Sequence, residues 1–290
     1  MHADPHSAPS SVCAELSESA HRTERFVRLS QKPVLTSLLL VEERLLEAHY
    51  FAQTLRRALP HQLPYHLNAF LSAARAVTWM LQKEMSEVPG FEEWYAARQA
   101  EMGNDKAARF FLLQRNFSQK EGRVRTSGYR GPKPRSGWSY RFIDGRHKVP
   151  ADLVGRDLAE CCAEHPAKLA RLILQFADDF PYHSCPQRAL TVEGVEALGL
   201  NLRDVFISTG LPGNVFDAAP NDKEVQLGGM RTLVDAVDFK AIEKLTKTKK
   251  RRMPTSIDAH LKHALMVADG SHGSRAAIIA AALLITRKGH

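Results

Sequence analysis

Apolar residues recur at three- and four-residue intervals from Pro33 to Leu59, at Leu35, Leu38, Leu39, Leu45, Leu46, Tyr50, Phe51 and Leu55, and this spacing predicts a helix. Pro60 and Pro64 end it and open the next. A second helix is predicted from Tyr65 to Ser86, with Phe70, Ala73, Ala74, Val77, Met80 and Leu81 as its buried stripe and Pro89-Gly90 as its stop. A shorter one follows from Phe91 to Met102. Asn104 or Asp105 caps a fourth, which carries Phe110, Phe111, Leu112 and Leu113 before reaching Arg115 and Gly122. Four helices joined by short links predict an antiparallel four-helix bundle over residues 31–122.

Beyond Gly122 the pattern changes. Residues 123–137 are rich in Gly, Pro and basic side chains and read as a basic linker. Trp138 to Val149 alternates large apolar and polar residues around Asp144-Gly145, which predicts a small β-hairpin turning there. Helices resume over Ala151–Glu164 and Pro166–Phe180, and again over Met230–Lys247 and Ile257–Ala268, with an irregular stretch at 209–229. The expected fold is therefore mainly α. A tail (1–30), the bundle (31–122) and the linker (123–137) precede a second, mostly helical region (138–290).

Apolar residues make up 44% of the 290, enough for a sizeable core. The longest apolar run, Ala276 to Ile285, is about half of the ~20 residues that cross a bilayer, so no membrane span is expected. The first 30 residues lack the basic start and apolar run of a secretory signal. Cys13, Cys161, Cys162 and Cys185 make a poor disulfide framework, and reduced thiols in the cytoplasm are expected. The formal charge of +8 is unevenly placed: from Lys106 to Pro150, twelve basic residues face only Glu121 and Asp144. The candidate phosphate contacts are Arg123, Arg125, Arg130, Lys133 and Arg135, with a second run at Lys249, Lys250, Arg251 and Arg252. Such runs bind RNA or DNA with salt-sensitive affinity, or else form solvated surface.

Other chemistry is sparse. Cys161 or Cys162 with His165, His183 and Cys185 matches no zinc module, so buried thiols and no metal are expected. Thr209 to Asn214 lacks the Lys and hydroxyl of a phosphate-binding loop, and no cofactor is expected.

Within the bundle, Leu67 to Thr78, Pro89 to Tyr95 and Arg115 to Gly122 resemble the HEPN superfamily of helical proteins over residues 33–122. The resemblance implies a homodimer of a defence or toxin-antitoxin locus. In its active members it also implies metal-independent cleavage of RNA by an Arg-polar-x3-His motif. Arg115 and Asn116 match the start of that motif, and Lys120 stands at the His position. Metal-free cleavage needs a base near neutrality and a cation at the phosphate. Arg115 supplies a cation, but a lysine is ordinarily protonated at neutral pH. Arg44 with His49, Arg56 with His61 and Arg141 with His147 have motif-like spacing, at about the frequency chance gives so short a pattern. The alternative role for Arg115 and Asn116 is structural, satisfying carbonyls or a carboxylate of Glu42, Glu43 or Glu84. The expectation is a non-catalytic or weakly catalytic RNA-binding or regulatory component, the alternatives being a ribonuclease toxin and a protein-interaction module.

Overall fold

The computed structural model describes residues 35–130, 137–218 and 221–247. Twelve helices and one two-stranded antiparallel sheet form among them. The expected tail, the helix at 257–268 and the apolar segment 276–285 lie outside these residues.

Helix α1 (Leu39–Thr54) continues into a short 3-10 turn (Leu55–Arg57), and α2 spans Leu63–Met85. Leu38, Val41, Leu45, Ala48, Ala52 and Leu55 follow steps of three and four, and all are fully buried. Leu63, Leu67, Phe70, Ala74, Val77, Leu81 and Met85 form the matching stripe on α2, and the two helices make the most extensive helix pair. Leu46 and Tyr50, expected on the buried stripe, are exposed, because they fall beside the row that Leu38, Val41 and Leu45 define. Helices α3 (Phe91–Asn104) and α4 (Lys106–Lys120) complete the four expected before residue 122. Gly90, at φ 80°, takes the left-handed turn that opens α3.

The core does not end there. Helix α5 (Leu158–Asp179) packs on α1 and α2, and one apolar cluster runs from Leu38 through α5 to Leu245 of α12 (Phe239–Thr246). Two helices broken at Pro166 were expected here. Instead one helix runs through, its N-terminus held by the Asp157 carboxylate on the Ala159 and Glu160 amides. Pro166 is buried inside it, and burial of Leu158, Cys162, Ile173 and Phe176 along the same helix offsets the lost backbone bond. Buried Glu42 of α1 accepts the Asp238 amide at the start of α12, while burial pushes the Glu42 carboxyl above its ordinary range. Short helices α6 (Pro181–Ser184), α7 (Pro186–Ala189), α8 (Val192–Leu198), α9 (Leu202–Ser208), α10 (Gly213–Asp217) and α11 (Lys223–Arg231) enclose a second small cluster of Leu190, Val195, Val205, Leu227 and Met230. The single helix expected over 230–247 is thus two, and much of 209–229 is helical rather than irregular.

The hairpin also differs from expectation. Strand β2 (Trp138–Phe142) pairs with β1 (Thr126–Arg130), drawn from the segment read as linker, with Gly128 opposite Tyr140. Asp144-Gly145 closes a separate bend, in which the Asp144 carboxylate accepts the Val149 amide. The Asp-Gly pair carries turn chemistry wherever it sits, so it does not by itself say which strands it joins.

Candidate nucleic-acid interface

Helix α4 sets the frame. Its first turn is capped by Asp105, which accepts the Ala107 and Ala108 amides and pairs with Lys168 of α5. At its other end the Glu121 and Gly122 amides both return to the Phe117 carbonyl, and the chain turns out into 123–126 and then β1. The Ile143 amide donates to the Arg125 carbonyl, carrying the strand pairing one step beyond the sheet.

The hairpin is bolted to the helices. Tyr140 is buried and its hydroxyl donates to the Ala58 carbonyl at 2.8 Å, while Phe142 meets Phe110 and Phe111 edge-on. A Cβ on Gly128 would sit 3.0 Å from the Tyr140 ring, so the glycine gives that ring room to lie across β1. Burial without a charged partner pushes the Tyr140 phenol up to about 12.

The segment 123–126 runs between two depressions. On one side is an open groove of about 320 Å3 lined by Pro64, Tyr65, Asn68, Ser118, Arg123 and Thr126, with buried Leu63 and Leu67 beneath. Tyr65 is 68% exposed, so its ring is available for stacking. The Ser118 hydroxyl lies 3.0 Å from Asn68 Oδ1, and the Gln119 amide donates to Ser72, so a row of polar groups joins α2 to α4. On the other side a small hollow is lined by Arg125, Arg146 and His147, with Phe117 edge-on to the His147 ring. Arg146 pairs with Glu121.

Of the predicted cations, Arg123, Arg125 and Arg130 are exposed, and among the described residues no carboxylate pairs with them. Among the described residues, Arg123 and Arg125 therefore place charge without a carboxylate partner on both sides of one short segment. Lys133, Arg135 and Lys249, Lys250, Arg251 and Arg252 lie outside the described residues. Arg115, Asn116 and Lys120 all lie on α4. The Arg115 guanidinium donates to Asn116 Oδ1 at 3.3 Å, and its buried Nε has no hydrogen-bond partner. The carboxylates considered for it are placed elsewhere: Glu42 holds the Asp238 amide, Glu43 lies by Arg44 and Glu84 by Lys83. Cys161, Cys162 and Cys185 are buried free thiols, and burial pushes the first two above their usual range. Among the described residues no group of three or more His, Cys, Asp and Glu side chains is arranged to hold a metal.

Sequence reasoning missed Tyr65 and Ser118. Asn68 is exposed and bonds across helices. The available signal was an exposed aromatic directly after Pro64, off the apolar stripe of α2.

Residues 34–159 match the family model described as bacteriophage lambda protein ea47. No curated protein and no solved structure matches the chain. The match covers less than half of the 290 residues, and it passes through the bundle and the hairpin into the first turn of α5. It overturns the HEPN resemblance, because the segments that suggested it lie inside this different family model, and Arg115, Asn116 and Lys120 have no HEPN motif to inherit. Over 34–159 the chain is similar to the ea47 family.

Proposed function

We propose that the chain is a nucleic-acid-binding protein without catalytic chemistry of its own, holding single-stranded RNA or DNA across the segment 123–126. The observation that carries this reading is the placement of exposed Tyr65 and the uncompensated Arg123 on one open groove, with Arg125 on the far side of the same segment. A single strand needs a ring on which a base stacks and cations that follow the phosphates. The groove supplies both, and Asn68 and Ser118 add hydrogen-bonding groups at base height. Arg130, at the end of β1, extends the positive charge along the strand, and Lys133 and Arg135 follow it in the sequence. Mobility-shift titrations of an unstructured oligonucleotide at several salt concentrations test the reading. Each lost phosphate contact lowers the log-log salt slope by about 0.7, so replacing Arg123, Arg125 and Arg130 with Ala lowers it by about 2. Tyr65→Ala weakens binding about tenfold while leaving the slope unchanged, because stacking releases no counterion. No binding at low salt, or a triple variant that binds with the wild-type slope, refutes the proposal.

A further inference from the structure

A second cavity lies at the other end of α4, away from the hairpin. It is a cleft of about 200 Å3 between α2, α3 and α4, with His165 and Leu169 of α5 at its back. Leu71, Ala74, Phe111 and Leu169 give it an apolar body. Its polar groups are all cationic or neutral: Arg75, Arg109, Thr78, Tyr95, Gln99 and His165, with no carboxylate in the lining. Of the acidic residues on the flanking elements, Glu101 pairs with Arg98 and Asp105 with Lys168. Arg75 and Arg109 have no such partner among the described residues. Arg75 is half-buried and donates to the Thr78 hydroxyl at 2.7 Å, and Tyr95 lines the same cleft. His165 carries a buried Nδ1 with no hydrogen-bond partner against the same space.

We infer that this cleft binds a small monocarboxylate with a compact aromatic or aliphatic body. Charge selects the head: two uncompensated guanidiniums at an apolar pocket favour an anion, and a guanidinium grips a carboxylate with two parallel hydrogen bonds. Size selects the body. A dry cavity of about 150 Å3 holds benzene, so 200 Å3 takes a single ring with its carboxylate at the mouth, and it is smaller than the ~300 Å3 at which sites for drug-sized ligands begin. Half-buried Arg75 fixes the head, exposed Arg109 closes over it, and Leu71, Ala74, Phe111 and Leu169 receive the ring.

The test uses the full chain and a series of probes matched in shape but not in charge: benzoate, benzamide and benzylamine. Titration calorimetry, or chemical-shift changes of the protein, reads binding up to about 10 mM probe, a range that covers the weak affinities open to so small a ligand. Benzoate is expected to bind, benzamide about tenfold more weakly, and benzylamine not at all. Arg75→Gln lowers benzoate affinity about tenfold, and Ala108→Phe, which fills the cleft from α4, abolishes it. Benzoate that does not bind, benzylamine that binds as well as benzoate, or benzoate binding untouched by Ala108→Phe overturns the inference. The probe series needs no variant, so a substitution that fails to fold leaves the test intact. Loss of benzoate binding with oligonucleotide binding preserved, or the reverse, separates the two sites.

Discussion

His165 provides a direct check on the packing of the helical core. Its ring lies between Phe70 and Phe111, with centroids 6.4 and 4.9 Å away, and its buried Nδ1 has no partner. Burial, reinforced by the Lys168 ammonium and opposed by Asp105, holds the imidazole at about 4. In the unfolded chain it titrates near ~6.5, so unfolding takes up a proton anywhere between those values. Stability from this group is therefore complete above ~6.5 and declines as pH falls toward 4. At ~1.4 kcal/mol per tenfold step the full decline is about 3 kcal/mol. His165→Phe keeps an aromatic ring against Phe70 and Phe111 and removes both nitrogens. At pH 7 it should stabilise the fold by about 1 kcal/mol, the cost of one unsatisfied buried nitrogen. Urea unfolding at pH 7, 5.5 and 4.5 should show the variant's advantage growing to about 4 kcal/mol at the lowest pH, with an unchanged m-value. His49 and His183 are also held below the usual histidine range by burial, but they are present in both proteins and cancel in the difference. A difference that stays flat from pH 7 to 4.5 would mean that the imidazole is solvated and the packing of α5 on α2 and α4 is wrong.

Two further substitutions probe the supports of the interface. Asp105→Ala removes the cap of α4 and its ion pair with Lys168. The cap accounts for about 1 kcal/mol and the half-exposed pair for less than about 1 kcal/mol. Burial raises the Asp105 carboxyl, but the Lys168 bond and the two amides more than offset it, so its folded value lies below the ordinary one. Its contribution is thus present above ~3.9 and is lost as pH falls through the folded value, and guanidinium unfolding should find the variant weaker at pH 7, with the difference shrinking as pH falls below ~3.9. Tyr140→Phe strands the Ala58 carbonyl and should cost about 1–2 kcal/mol by urea unfolding, with no change in the secondary structure seen by circular dichroism.

The helical part of the fold was legible because the relevant information is local. The steps of three and four in α1 and α2, the breaks at Pro60, Pro64 and Pro89-Gly90, and the capping carboxylate at Asp105 are all written within a few residues of where they act. Pairings across long distances were not. That β2 would choose Thr126–Arg130 depends on the rings of Tyr140 and Phe142 reaching Ala58, Phe110 and Phe111, a tertiary choice that the Asp144-Gly145 turn signal could not reveal. Pro166 misled for the same reason, since burial of α5 on α1 and α2 outweighs a local helix penalty. The cations of the proposed interface were visible as charge. Their stacking partner was not, because Tyr65 lies some sixty residues before Arg123 in the chain and joins it only through the packing of α2 on α4.

That packing explains why a basic segment attached this way differs from a solvated charge run. A free loop carrying the same guanidiniums would lose conformational entropy on meeting a phosphate strand, at about 1–2 kcal/mol for each backbone residue ordered. Here 123–126 is held at both ends, by the closing turn of α4 and by a strand whose partner is fixed through Tyr140 and Phe142. The cost of ordering the backbone is met in folding, so each phosphate contact of the proposed complex would contribute more of its energy to binding. Two separable quantities follow from this. The number of cations sets how steeply affinity falls with salt, and the firmness of the hairpin anchor sets the affinity at any one salt concentration. Loosening the anchor with Tyr140→Phe should therefore weaken oligonucleotide binding uniformly across salt concentrations, whereas removing Arg123 and Arg125 changes the slope itself. A Tyr140→Phe variant that alters the slope would mean that the hairpin sets which cations reach the strand, and does more than hold them in place.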